Sequence, residues 1–292
     1  MNILTFDIEE WFLEKKNHGG REFRYQQFDN YLNRVLDLLD EVDTKATFFC
    51  LGKVASEFPE VIRRIAERGH EIGCHSNEHS WLNTLTPEEL KSDTHDAIAA
   101  LEDIIGEKVL SYRAPAFSIG EKNKWALEIL AENGIIRDAS IYPAVRDFGG
   151  FKSFSSKEPT IIEYNGIQIK EFPVSVTSFL GKDITYSGGG YFRFLPYGFV
   201  KKSFKQREYS IAYFHLGDII KNPNGMMSKE EHEKYYKEPG TLKNRMARYV
   251  KSSLGTAKAF DKMGKLIRSF EFINVEKADG LIDWDRINII KI

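Results

Sequence analysis

Two histidines four residues apart, His75 and His79, are the first residues in this sequence whose types and spacing suggest chemistry. On one helical turn they would share a face and suit a single metal ion. Two surface histidines give the same spacing, so position decides: Glu71 to His75 reads as a strand, and the pair follows it directly. A third ligand is then required. Catalytic zinc sites add a carboxylate and leave one position for water. Asp7 and Glu9 lie two apart on an N-terminal strand and so point to one face, shared with Ile3 and Thr5, while Leu4, Phe6 and Ile8 face the other way. Two acids aimed into a core are costly unless they bind or react with something.

Those side chains must be brought together by the chain around them. The first half alternates strand and helix signals. Strands are expected near Ile3–Glu9, Ala46–Leu51, Glu71–His75, Val109–Ala114 and Ile135–Ile141, and helices over Asp29–Val42, Phe58–Glu67, Thr86–Gly106 and Lys122–Asn133. Thr86-Pro87-Glu88-Glu89 carries an N-cap, a proline at the first turn and a capping-box glutamate. Repeated β-α units imply a parallel sheet with helices outside, and five of them without a dinucleotide fingerprint favour a barrel over an open sheet. In such a barrel the working groups sit at the C-terminal strand ends. Asp7, Glu9, His75, Arg113, Asp138 and His215, the last at the end of the apolar run Ile211–Leu216, all fall there.

From about 143 to 200 the pattern changes to a Ser-, Gly- and Phe-rich stretch with strands over Thr160–Ile169 and Glu171–Val176, read as an insertion on a single domain spanning 1–292. A helical C-terminal segment covers about 228–270. Within it, Leu242, Met246, Val250, Leu254, Phe260, Met263 and Ile267 share one face of a helix running from Leu242 to Phe270, with Lys243, Arg245, Lys251, Lys258, Lys262 and Arg268 opposite. This reads as an outer barrel helix with a solvated basic face, the alternative being contact with an anionic membrane surface.

Composition narrows the function classes. Forty-one Lys plus Arg against 43 Asp plus Glu leave a formal charge of -2, without the basic excess that nucleic-acid binding usually needs. Two cysteines, Cys50 and Cys74, form no disulfide framework or CxxC site and read as reduced, buried thiols. The opening residues already read as a core strand, and no apolar run approaches a membrane span, so a soluble, cytoplasmic protein is expected.

Five segments follow one another in an order that resembles the polysaccharide deacetylases, the NodB-homology fold of carbohydrate esterase family 4. They are Thr5-Phe6-Asp7-Ile8-Glu9-Glu10, His75-Ser76-Asn77-Glu78-His79, Arg113-Ala114-Pro115-Ala116-Phe117, Asp138-Ala139-Ser140-Ile141-Tyr142-Pro143 and Phe214-His215-Leu216. Gly188-Gly189-Gly190-Tyr191-Phe192-Arg193-Phe194-Leu195-Pro196-Tyr197 looks like the subgroup of exopolysaccharide and capsule loci. The resemblance implies a distorted (β/α) barrel and a hydrolase that removes the acetyl group from an N-acetylated sugar, oligosaccharide or lipid-linked glycan. It implies one divalent ion, zinc ahead of cobalt, nickel or manganese, that activates the attacking water. By resemblance Asp7 is the general base, His75 and His79 are metal ligands, and Arg113 pairs with Asp7. His215 is the general acid and Asp138 orients or charge-tunes it.

Two departures stand out. The family commonly has adjacent aspartates where this chain has Asp7-Ile8-Glu9-Glu10. Strand geometry favours Glu9 as the third ligand, while a bend at the strand end would present Glu10 instead. After His215 the chain reads Leu216-Gly217-Asp218 where the subgroup has Pro and Trp. Trp11, Trp81, Phe117 and Tyr191 are candidates for stacking on a sugar ring, and His18, His70, His95 and His232 read as surface residues. Two alternatives remain: hydrolysis of a small cyclic amide on the same fold, and a degenerate carbohydrate-binding protein without catalysis, against which the intact set Asp7, His75, His79, Arg113 and His215 argues.

Overall fold

A computed structural model of the chain describes residues 1–9, 21–144, 149–179, 181–220, 226–236 and 238–292. Glu10, Trp11 and His18 lie outside these. The elements are β1 (Asn2–Ile8), α1 (Arg21–Glu41), β2 (Thr47–Cys50), α2 (Gly52–Glu57), α3 (Pro59–Glu67), β3 (Glu71–Cys74), α4 (Pro87–Ile105), β4 (Ser111–Tyr112), α5 (Ala126–Glu132) and β5 (Arg137–Asp138). Then come β6 (Thr160–Tyr164), β7 (Ile167–Glu171), β8 (Val176–Phe179), β9 (Lys182–Thr185), α6 (Gly189–Phe194), α7 (Tyr197–Lys205), β10 (Ser210–His215), α8 (Leu216–Ile219), α9 (Lys229–Tyr236), α10 (Leu242–Ser253), α11 (Ala259–Ile267), α12 (Val275–Leu281) and β11 (Ile289–Lys291).

Nine strands form one sheet in the order β10-β1-β2-β3-β4-β5-β7-β6-β11, parallel except for the β6–β7 pair. Leu4, Phe6 and Ile8 pack outward with Leu32, Leu36, Phe48 and Phe214 beneath the helices, and Ile3 faces inward with Phe49, Ala139 and Phe172. The sheet curls strongly. Strands β1 and β4 are three steps apart, about 14 Å on a flat sheet, yet Arg113, just past β4, donates to Asp7 on β1 at 2.8 Å. Closure between the last parallel strands and β10 runs through the segment 172–175 rather than a strand pair. Phe172 N donates to Asp138 O (2.8 Å), Ile211 N to Ser175 Oγ (2.8 Å) and Tyr209 Oη to Pro173 O (2.8 Å). The result is a distorted (β/α) barrel.

Several expectations change. Thr160–Ile169 is not one strand, because Asn165 and Gly166 both take positive φ (49° and 82°), the conformation of a two-residue hairpin turn, and split it into β6 and β7. Nor is this stretch merely inserted: β7 pairs with β5 and extends the barrel sheet. The long C-terminal helix breaks at Gly255, left-handed at φ 81°, into α10 and α11. In α11 the apolar face is buried through Met263, Leu266 and Ile267, whereas α10 buries no residue. His70 and His232, read as surface residues, are 5% and 1% exposed. His70 packs on the Phe48 ring and accepts from Ala46 N, and His232 pairs with Glu238. Cys50 and Cys74 are free, buried and opposite one another on β2 and β3. Among the described residues no helix is long and apolar enough to cross a membrane.

Candidate active site

The parallel strands end together, so their inward-facing last residues converge. Asp7 lies beside His215 in the β1–β10 register. His75 follows β3, with its N–H bonded to Cys50 O, and Arg113 follows β4, with its N–H bonded to Cys74 O. Glu9, one residue past β1, points to the same place.

Glu9, His75 and His79 form the group able to hold a metal ion. One oxygen or nitrogen from each lies within 4.8 Å of the others. Glu9 Oε2 is 3.4 Å from His75 Nε2 and 2.5 Å from His79 Nε2. The first distance is the edge of a tetrahedron with bonds of about 2.1 Å, and the second is shorter than that edge. The tautomer also fits. His75 Nδ1 is 2.7 Å from Arg113 O, and a carbonyl only accepts, so Nδ1 carries the proton and Nε2 keeps its lone pair for an ion. Burial acts to raise the Glu9 pKa, but the field of His79 and His215 and hydrogen bonds from His75 and His79 outweigh it and hold the carboxyl well below the ordinary range.

The histidine pair is not on a helical turn. After His75 the backbone is irregular, with Ser76 and His79 at φ 69° and 58°. The loop is held from outside: Asp93 on α4 accepts from Asn77 N (2.9 Å) and Glu78 N (3.4 Å), and His79 N donates to Ser76 Oγ (3.0 Å). A tight anchored turn, not helical periodicity, brings His79 back beside His75.

Arg113 is wholly buried over the Phe49 ring, 4.3 Å from its centroid. Its Nη1 donates to Thr5 Oγ1 (2.7 Å) and Asp7 Oδ1 (2.8 Å), and its Nε to Ala139 O (3.2 Å). Asp7 Oδ2 remains, 3.5 Å from His215 Nε2. The other ring nitrogen, His215 Nδ1, lies 2.8 Å from Asp218 Oδ2, and Asp218 in turn sits 3.5 Å from Arg193. Burial would lower the His215 pKa, yet Glu9, Asp218 and Asp7 together drive it well above the ordinary value.

The resemblance gave the His215 contact to Asp138, and the structure gives it to Asp218. Asp138 is fully buried, accepts from Ser140 Oγ and lies beside Glu171 on β7. Burial pushes Asp138 up to about 6, and burial plus the neighbouring Asp138 push Glu171 well up. The signal for Asp218 was present in the sequence. It stands three residues after a strand-ending histidine, the spacing of a helix-start box, and its carboxylate does accept from His215 N. Arg193 and Asp93 carried no comparable signal.

Asp7, His75, His215 and Asp218 line a cavity of about 540 Å³ together with Phe117, Tyr142 and Tyr191. Tyr191 is half exposed at the rim, and Phe117 is buried against Tyr142 and Tyr213. Trp81 is not in this lining; it precedes a short turn, Leu82–Thr84, tied by Leu82 N to Ser118 Oγ.

The polysaccharide deacetylase family pattern matches residues 3–135, and a domain of unknown function, DUF3473, matches residues 139–279. A peptidoglycan-N-acetylglucosamine deacetylase of Bacillus cereus is 35% identical over 96 residues, 32% of this chain and 35% of that protein. A chitooligosaccharide deacetylase of Bradyrhizobium is 27% identical over 142 residues, 46% of this chain and 63% of that protein. The chain thus spans less than two thirds of the length of each of these relatives. A Mycobacterium smegmatis structure classed with the polysaccharide deacetylases superposes with a TM-score of 0.63 at 18% identity, covering 100% of this chain and 92% of the other. By the family pattern residues 3–135 belong to the polysaccharide deacetylase family, and the chain as a whole shares the barrel fold of the Mycobacterium smegmatis structure.

Proposed function

We propose that the protein is a metal-dependent hydrolase that removes the N-acetyl group from an N-acetylated sugar, oligosaccharide or lipid-linked glycan, with zinc as the ion. The observation that carries this reading is the pairing of Asp7 Oδ2 with His215 Nε2 at 3.5 Å, beside the Glu9–His75–His79 group and on the floor of an open, aromatic-lined cavity. Relatives named for deacetylating peptidoglycan and chitooligosaccharides support an acetamido sugar as substrate.

A divalent ion on Glu9, His75 and His79 would polarise the acetamide carbonyl and acidify water. The chain's own groups do the proton work. Arg113 fixes Asp7 Oδ1, leaving Oδ2 to take the proton from the attacking water. Asp218 holds His215 Nδ1–H and stabilises the imidazolium, so Nε2–H faces the cavity and can protonate the departing amine, which is a poor leaving group otherwise. Phe117, Tyr142 and Tyr191 offer apolar ring faces to a pyranose.

The test is acetate release from N-acetylglucosamine oligomers and peptidoglycan fragments, with and without chelator. We expect turnover that chelator abolishes and zinc restores. Asp7→Asn should lose turnover while keeping bound metal, and His75→Ala should lose both. Chelator-insensitive turnover, or hydrolysis confined to cyclic amides, would overturn the proposal.

A further inference from the structure

Helix α10 is inside out. An amphipathic helix on a protein in water packs its apolar face inward. In α10 and the residue that follows it, the exposed positions are Leu242, Lys243, Met246, Ala247, Val250, Lys251, Ser252 and Leu254. The four large apolar side chains among them are 61%, 52%, 48% and 55% exposed. They recur every four residues and form one stripe along the helix. The inward face is polar. Arg245 Nε donates to Met227 O (2.7 Å), while Arg248 clamps Glu238 through two 3.0 Å bonds and lies over the Tyr236 ring.

We propose that α10 docks this protein on an anionic lipid bilayer. The apolar stripe supplies the buried area, and Lys243 and Lys251 on the outward face supply charge complementary to acidic headgroups. From 242 to 254 the chain contains four basic residues and no acidic one. The nearby acids Glu233 and Glu238 are turned onto Gly240 N and Arg248. A twofold contact between copies fits less well, since an isologous interface would set the same lysines against one another.

The face is continuous with the cavity mouth. Arg193 on α6 donates to Lys251 O (3.0 Å) and Ser252 O (2.9 Å), tying α6 to the end of α10. Tyr191 and Phe194 of α6, 47% and 43% exposed, share the cavity rim with Lys251. Aromatic rings at such a rim are suited to the headgroup level.

The experiment is co-sedimentation of the whole chain with vesicles of equal parts phosphatidylglycerol and phosphatidylcholine, and with phosphatidylcholine alone. Binding is the readout, so the result is independent of the deacetylase reading. We expect binding to the mixed vesicles that weakens with added salt. Lys243→Ala should lower partitioning about fivefold, and combined Leu242→Gln, Met246→Gln and Val250→Gln should lower it at least about tenfold. All four positions are on the surface, so thermal unfolding should be unchanged. Absence of binding to the mixed vesicles would overturn the proposal, as would binding that survives the triple substitution. Self-association of the parent chain that the triple substitution abolishes would also overturn it, by assigning the stripe to a second copy.

Discussion

Replacing Arg113 with methionine tests whether the Arg113–Asp7 contact organises the site. The two side chains are 0% and 2% exposed and 2.8 Å apart. At an effective dielectric constant near 20, charges at this distance attract by about 6 kcal/mol. Both are also drawn from water, so the pair's net worth is far smaller than that figure. Removing one partner alone strands the other charge, at a cost of about 3–5 kcal/mol. Thr5 Oγ1 and Ala139 O would lose their donor in the same substitution. Urea unfolding of the parent, Arg113→Met, Asp7→Asn and the double variant forms a closed cycle. We expect each single variant to lose about 3 kcal/mol or more and the double to lose much less than the sum, with a coupling of about 3 kcal/mol. Losses that add to within about 0.5 kcal/mol would refute the idea that Arg113 holds Asp7 as a charge partner.

Other consequences can be measured directly. Asp218→Asn should cut acetate release about 10- to 100-fold with little change in KM, because an amide stabilises an imidazolium poorly; steady-state kinetics checks this, and an unchanged kcat would remove Asp218 from the proton path. Gly73→Ala should lower turnover and stability together, since a Cβ at Gly73 would meet the Phe49 ring at 2.6 Å, the ring that carries Arg113; normal kinetics with a normal melting temperature would contradict that. Burial, with Lys45 and Arg68 adding to it, lowers the His70 pKa to about 4 from an ordinary 6.5. The unfolded chain therefore takes up this proton first as pH falls, and stability present above about 6.5 is lost towards about 4, by at most about 3 kcal/mol. Urea midpoints of the parent and His70→Gln at pH 7 and pH 4 should differ in slope by that amount, and parallel curves would show that His70 is not the sensor.

The barrel was legible because its strands and helices announce themselves locally. The alternation along β1 separates Thr5, Asp7 and Glu9 from Leu4, Phe6 and Ile8, and Thr86 and Glu89 do form the capping box their spacing predicts. The rule that barrel chemistry sits at strand ends then gathers Asp7, His75, Arg113 and His215 without knowledge of any contact. What sequence reading missed depends on distant partners. Four-residue spacing suggested a helix for His75 and His79, but Asp93, sixteen residues beyond Asn77, holds that loop in another shape. Asp138 sits at a strand end like the others, yet Glu171 from β7 draws it into a buried pair away from His215. The direction of α10 could not be read from its own periodicity, because an amphipathic pattern defines two faces without saying which one points inward.

The pairing of β1 with β10 also has a consequence during synthesis. Thr5 donates to Ala212 across 207 residues, and the two strands are in register from Asn2 to Asp7. A ribosome adds about 5–20 residues per second, so this edge of β1 waits roughly 10–40 s for its partner strand. The opposite edge is covered early by β2 from Thr5 to Ile8. The other remains an unpaired template beside apolar Leu4 and Phe6 until β10 is made. The nascent protein therefore passes through a long interval in which strand capture by a neighbouring chain competes with its own completion. Substitutions that weaken β10 should lower the yield of folded protein in the cell more than they lower the equilibrium stability of molecules that have already closed.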